Sequence, residues 1–478
     1  MGILSWVIRT GNTILWSYVL IVLLIGAGLY FTIINKFVQF KFIKEMIRLL
    51  AEGTSSETEG GISSFQAFCM STASRVGTGN LAGVAIAVVA GGPGAVFWMW
   101  VIALIGSASA FVESTLAQIY KEEALDGFRG GPAYYMEKAL GNRNLGIAFS
   151  ILITICFGLV FNSVQSNTIS LAFQEAFGTA RLTTGIAITA FTAVIIFGGV
   201  KRIAKFTEAI VPVMAVAYVA IAMFVIVKNF TMIPSIFKLI IESAFGFKQA
   251  AGGAMGAAVM MGIKRGLFSN EAGMGSAPNA AATAEVSHPV KQGLIQALGV
   301  FTDTIIICSA TAFMILISGV YTQGGLGGIQ LTQVALTSQV GAWGSLFVAV
   351  CIFLFAFSSI IGNYYYGESN IEFINSDSKW LFIYRAAVLF MVGFGSVAKL
   401  AIVWDMADLF MGLMALLNIY AIMKLAPIAK IALDDYTKQK KQGKDPVFNP
   451  SSLGIVKGVQ CWKGKKSKVE VKEEVELI

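Results

Sequence analysis

The chain has 478 residues, of which 56% are hydrophobic and only 13% charged. A soluble domain carries about 25% charged residues, so soluble enzyme folds are excluded and a polytopic membrane protein is left. With 50 Gly, 9 Pro and 35 Phe the chain is neither collagen-like nor disordered, and its long apolar runs lack the alternation of a membrane β-barrel, which makes it all-α.

A helix crosses a bilayer with about 20 apolar residues. Eleven stretches qualify, at 14–34, 62–90, 94–120, 146–173, 182–200, 206–227, 249–280, 290–319, 343–367, 382–402 and 406–426. The second and the seventh are interrupted at mid-span by Gly-rich, charged segments. The opening MGILSWVIRTGN lacks the charged n-region and cleavage site of a signal peptide. From Asp434 a basic tail runs to an acidic end, and reads as a flexible, solvated segment near anionic headgroups.

Lys and Arg test the span count. Of the 35, 28 fall on one side of these spans and 6 on the other, with Arg75 inside one. The excess persists without the tail, and the positive-inside rule then puts the C-terminus in the cytoplasm and the N-terminus outside. The net charge of +8 is therefore an orientation signal and not a nucleic-acid footprint. The bilayer is the partner it implies.

Five cysteines give no metal-ligand spacing and no disulfide framework. Cys69, Cys156, Cys308 and Cys351 lie in apolar stretches as small core residues, and Cys461 lies in the tail. The single histidine, His288, leaves no His-based relay or metal site. A membrane enzyme would need such groups, and a channel would show a continuous polar pore.

Shifted by 190 residues, AFCMSTASRVGTGNLAGVAIA meets AAVMMGIKRGLFSNEAGMGSA with seven identities in 21, among them Arg75/Arg265, Asn80/Asn270 and Gly83/Gly273. Each copy occupies one interrupted span, and by the loop charges the two run in opposite directions. The chain then divides into an extra N-terminal helix with its loop (1–61), a five-helix repeat (62–227), an inverted five-helix repeat (249–426) and the tail (434–478). Paired interruptions in two inverted halves mark a transporter site. Breaking a helix in the bilayer frees backbone groups, tolerable only where they line a cavity or hold a ligand. The freed N–H end suits a carboxylate, and carbonyls and hydroxyls suit a hard cation.

The stretches RVGTGNLAGVA (75–85), GGPGAVFWMW (91–100), GGPAYYMEKAL (130–140), NSVQSNTIS (162–170), GIKRGLFSNEAGMGSAP (262–278), DTIIICS (303–309) and FAFSSIIGNYYYGE (355–368) resemble the alanine or glycine:cation symporters. These are sodium-coupled amino-acid carriers of the bacterial or archaeal inner membrane, with a leucine-transporter-like fold. The resemblance implies that Thr78 and Gly79 offer N–H groups to the substrate carboxylate, with Asn80 in the same substrate site; read from the residues alone, Gly77 and Gly79 allow tight packing and Asn80 N-caps the second half-helix. It implies that Gln165 faces the substrate. It also implies that Ser358 and Ser359, with the carbonyls of Ala73, Val76 and Phe355, ligate sodium. Asn363 stands where some relatives that carry small amino acids have Trp, which leaves a roomier, more polar pocket and brings glutamine into question beside alanine and glycine.

Arg75 sits at mid-span next to the first break, and with the resemblance its fixed charge is expected to stand where other members of the superfamily hold a further sodium. Asp303 is placed deep enough to partner Arg75, Lys264 or Arg265. Glu113 and Glu208 are placed near solvated cytoplasmic ends, and Tyr364–Tyr366 with Trp98 and Trp100 read as interfacial aromatics. The expected function is Na⁺-coupled symport of alanine or glycine by alternating access, in a monomer with no organic cofactor. A Na⁺-coupled glutamine carrier and a proton-coupled carrier are the alternatives.

Overall fold

The computed structural model describes residues 3–53, 61–124, 127–246 and 252–462. Helix dominates, as the apolar runs dictate. In chain order the helices are α1 (Trp6–Ile34), α2 (Ile43–Glu52), α3 (Ser64–Arg75), α4 (Gly79–Gly91), α5 (Gly94–Ile119), α6 (Pro132–Lys138), α7 (Arg143–Phe177), α8 (Arg181–Ile196) and α9 (Gly199–Lys228). The second half adds α10 (Ile233–Ala244), α11 (Gly252–Asn270), α12 (Ala277–Thr283), α13 (Pro289–Ser318), α14 (Ile329–Val340), α15 (Trp343–Ile374), α16 (Ser378–Val397) and α17 (Leu400–Lys441).

Among the described residues eight helices are long and apolar enough to cross a membrane, and the pair α3/α4, bent by 46°, makes a ninth. The other two predicted stretches are α8, with 16 residues, and the interrupted pair α11/α12. Residues 249–251 of the latter lie outside the described residues.

Two groups of helices carry the packing. In one, α5 lies along α11, α12 and α13; in the other, α7 lies along α15 and α16, with α8 against α16. The broken helix α3 bridges them, touching α12 and α13 on one side and α9 and α15 on the other. Large apolar side chains such as Ile186, Val213, Val227 and Phe390 point outward, as a surface solvated by lipid requires.

Several expectations need correction. A hairpin of two three-residue strands, β1 (Glu122–Ala124) and β2 (Gly127–Arg129), follows α5 in a chain read as all-α. The last helix runs on past the predicted end of its span at 426, and Ala429, Ala432, Leu433 and Tyr436 continue the buried face of α17. The tail does not lie loose as far as Trp462. Phe448 is buried and its N–H donates to Ser287 O at 2.9 Å. Trp462 packs on Phe448 and donates to Gln118 O at 3.0 Å. Large apolar residues scattered among the lysines found cover at the ends of α5 and α13. Lys463, Lys465, Lys466 and Lys468 lie outside the described residues.

Candidate functional site

Each break is built by named side chains. At the first, Val76 takes an extended conformation (ψ 91°) and ends α3. The freed N–H of Gly77 donates to Asn80 Oδ1 at 2.9 Å, and that of Thr78 to Gln165 Oε1 at 3.0 Å. The Thr78 amide, assigned to a substrate carboxylate, is thus held here by Gln165, itself only 2% exposed. Asn80 also donates to Asp303 Oδ1 at 2.6 Å. A methyl group on Gly77 would lie 2.3 Å from Ser359 Oγ, and one on Gly79 would lie 3.0 Å from the Ser269 backbone. Both glycines let other groups approach closely.

Around the Ser359 hydroxyl three backbone carbonyl oxygens converge. Its Oγ is 2.8 Å from Ala73 O, 2.9 Å from Phe355 O and 3.5 Å from Val76 O. Ser358 Oγ donates to Phe355 O at 2.8 Å. All five residues are buried, and the structure brings them close together. Three carbonyls and two hydroxyls with no formal charge make an environment for a hard monovalent cation. The Ser359 hydroxyl has one hydrogen for three carbonyls, leaving spare acceptor capacity.

Asn363 is buried beside this cluster, donating to Asn162 Oδ1 at 3.2 Å and facing Ser74 Oγ at 2.7 Å. Thr78 Oγ1 and Tyr366 Oη are buried with no partner among the described residues. Unpaired buried polar atoms between two breaks fit a polar ligand. A tilted aromatic stack of Phe161, Phe268 and Trp404, with ring centroids 4.5 and 4.6 Å apart, flanks Gly79. Nothing in the local sequence signalled that stack.

At the second break the chain leaves α11 through Glu271, Gly273 and Gly275, all at positive φ. Glu113, expected near a solvated end, is fully buried instead. Its two oxygens accept from Gly273 N and Gly275 N, each at 3.1 Å, and from Asn418 Nδ2 at 2.7 Å. A carboxylate answering two free amides, with Met274 between them, replaces hydrogen bonds the helix gave up. Glu208 is half-buried near the start of α9 and accepts from Gln66 at 2.9 Å.

The charges pair differently from the expectation. Lys264 and Arg265, counted with the cytoplasmic loops, lie inside α11 and both bind Asp408, at 2.6 and 2.5 Å. Asp303 joins none of Arg75, Lys264 or Arg265; it accepts from Asn80, Ser269 and Thr304. Arg75, 2% exposed, donates from Nη1 to Gln296 O at 3.3 Å, while its Nε and Nη2 have no partner among the described residues. Gly299 leaves it room on α13. Tyr364, Tyr365 and Tyr366, read as interfacial, are buried in α15, whereas Trp98 and Trp100 are half-buried. His288 is also buried, capping α13 by accepting from Val290 N.

The sequence profile of the sodium:alanine symporter family matches residues 1–450. The chain belongs to that family. It is a membrane transporter, a sodium symporter and not an enzyme. The chain is 60% identical over 460 residues to the probable sodium/glutamine symporter GlnT of Bacillus subtilis, covering 96% of each. To the amino-acid carrier protein AlsT of the same organism it is 54% identical, over 96% of this chain and 98% of that one. The sodium/alanine symporter AgcS of Methanococcus maripaludis is 38% identical, over 88% of this chain and 94% of that one. In fold the symporter is similar to MhsT, solved with L-phenylalanine, at a TM-score of 0.54 and 15% identity, over 79% of this chain and 99% of that one.

Proposed function

We propose that this symporter binds Na⁺ at the Ser359 cradle and a neutral amino acid between the two breaks, and imports both by alternating access. The observation that carries the reading is the convergence of Ala73 O, Val76 O and Phe355 O on the buried Ser359 hydroxyl, with the Ser358 hydroxyl on Phe355 O. Thr78, Gly79 and Asn80 hold the carboxylate end, with the Thr78 amide released from Gln165 on binding. Gln165 and Asn363 meet the rest of the substrate. The eleven spans form an N-terminal helix plus two inverted five-helix repeats, with the N-terminus outside and the C-terminus in the cytoplasm. The carrier works as a monomer without an organic cofactor.

Glutamine is the substrate the pocket favours, with alanine and glycine as the second reading. The amides of Asn162, Gln165 and Asn363 match a side-chain amide, and the 60%-identical relative is named for glutamine. Uptake of labelled glutamine, alanine and glycine into proteoliposomes, with and without an inward Na⁺ gradient, tests both points. Undiminished uptake without Na⁺ rejects the coupling ion, and alanine outcompeting glutamine rejects the substrate order. Ser359→Ala removes one ligand and its fixed dipole. It is expected to raise the half-saturating Na⁺ concentration about tenfold or more, since a hydrogen-bonding group facing a charge is worth roughly 1.5–3 kcal/mol.

A further inference from the structure

Glu271 stands in the second break, 1% exposed and at φ +58°, a conformation rare for a residue with a side chain. Its Oε2 accepts from Ser276 Oγ at 2.5 Å, and its Oε1 lies 2.8 Å from Ser74 Oγ. Ser74 Oγ lies 2.7 Å from Asn363 Oδ1 as well. The orientation of the Asn363 amide is fixed from the far end. Asn162 Nδ2 donates to the backbone carbonyl of Gly158 at 2.9 Å, so Asn162 Oδ1 must face Asn363 and accept from its Nδ2 at 3.2 Å. Asn363 therefore turns its oxygen toward Ser74.

A serine hydroxyl has one hydrogen, and two acceptor oxygens stand at hydrogen-bonding distance from it. One hydrogen is missing. Glu271 also lacks a lysine or arginine within ion-pair distance among the described residues, and a bare buried carboxylate is costly. Both deficits close when Glu271 carries a proton. Its O–H then donates to Ser74, Ser74 to Asn363, Asn363 to Asn162 and Asn162 to Gly158, with every donor used once. The titratable groups that face it are Arg75 of α3, Asp303 of α13, Cys156 of α7 and Tyr366 of α15. Of these only Arg75 favours the carboxylate.

We propose that Glu271 is a proton-binding group of the substrate pocket, neutral in the empty carrier and ionised when the ammonium of an amino acid takes the proton's place. On binding, the Glu271 O–H bond breaks, the proton leaves to solvent, and an ammonium N–H donates to the carboxylate. The empty carrier then returns with one proton, opposite in direction to the amino acid. This inference rests on the reading that an amino acid binds between the breaks.

The test uses purified full-length carrier in weakly buffered detergent with saturating NaCl. L-glutamine, then L-alanine, is added while a pH indicator follows protons and calorimetry follows binding. The expected result is release of about one proton per amino acid bound by the wild type; Glu271→Gln, which loses the partner of the ammonium, binds more weakly, and what binds releases no proton. Binding by the wild-type carrier without proton release overturns the proposal and leaves the transport reading intact, as does equal release by Glu271→Gln. If neither amino acid binds, the transport reading fails and takes this inference with it. Should Glu271→Gln not fold, wild-type calorimetry in two buffers of different ionisation enthalpy gives the same proton count.

Discussion

At Gly77 there is no room for a methyl group. An added Cβ lies 2.3 Å from Ser359 Oγ and 2.9 Å from Gln165 Oε1, so Gly77→Ala pushes directly on the cation cradle and on the amide that holds Thr78. Overpacking of this kind costs about 1–3 kcal/mol. Gly77→Ala should therefore weaken Na⁺ binding roughly tenfold to a hundredfold at unchanged expression, measured by Na⁺-dependent uptake; uptake within twofold of wild type would show that the cradle lies elsewhere. Arg75 poses the opposite case, a fixed charge with spare hydrogen-bonding capacity. Its guanidinium rests against Gln296 and Gly299 of α13, within electrostatic range of Glu113, Glu271 and Asp303. The expectation that this one cation among three buried acids takes the place of a mobile one is open to test. Arg75→Ala is expected to raise the Na⁺ Hill coefficient of uptake above one, and normal uptake with the coefficient unchanged rejects that role.

The two breaks were legible because glycine spacing and a displaced apolar pattern are local properties of the sequence. The cradle was legible only through the family resemblance, since nothing local links Ser359 to Ala73. Glu113 was misread because its amide partners stand some 160 residues away, and a carboxylate near a helix end is ordinarily solvated. The tail was misread for a related reason. Its lysines dominate the composition, while Phe448 and Trp462, which decide its placement, are few. The same end of the molecule offers a pH test at the level of elements. Glu45 of α2 bonds Arg48, Tyr436 and Lys440, joining α2 to the end of α17. Burial alone would raise its affinity for a proton, but these three donors outweigh burial and bring its pKa down to about 2. A depressed carboxylate stabilises the fold fully above its unfolded value, near 4.5, and loses that contribution as pH falls toward 2. Between pH 5 and 3 the hydrogen-exchange protection of residues 434–441 should therefore fall in the wild type. Glu45→Gln should show low protection at both pH values; equal protection of the two proteins at pH 7 rejects the clamp.

For the whole molecule, the division into two helix groups places the first break and the Ser359 cluster at their junction. Helix α3 belongs to one group by its contacts with α12 and α13, and reaches the other through Ser359 on α15. A relative movement of the groups thus opens or closes the cradle without breaking either group internally, the geometry that alternating access needs. The movement has a direction only if the ends are assigned to sides of the membrane. The start of α3, the end of α5, the start of α13 and the end of α17 meet at one end, tied by Glu285 N to Ile62 O, Lys121 to Ala284 O, and His288 beside Asp435. If the loop charges are right, that end is cytoplasmic. Helix α16 gives the most direct test, because Lys379 and Lys399 flank it and both are exposed. In a Cys461→Ser background the remaining cysteines are buried. A membrane-impermeant maleimide added to intact cells should label Lys399→Cys, and should label Lys379→Cys only after the membrane is permeabilised. The reverse pattern inverts the orientation, and labelling of both in intact cells removes α16 as a span and with it the count of eleven.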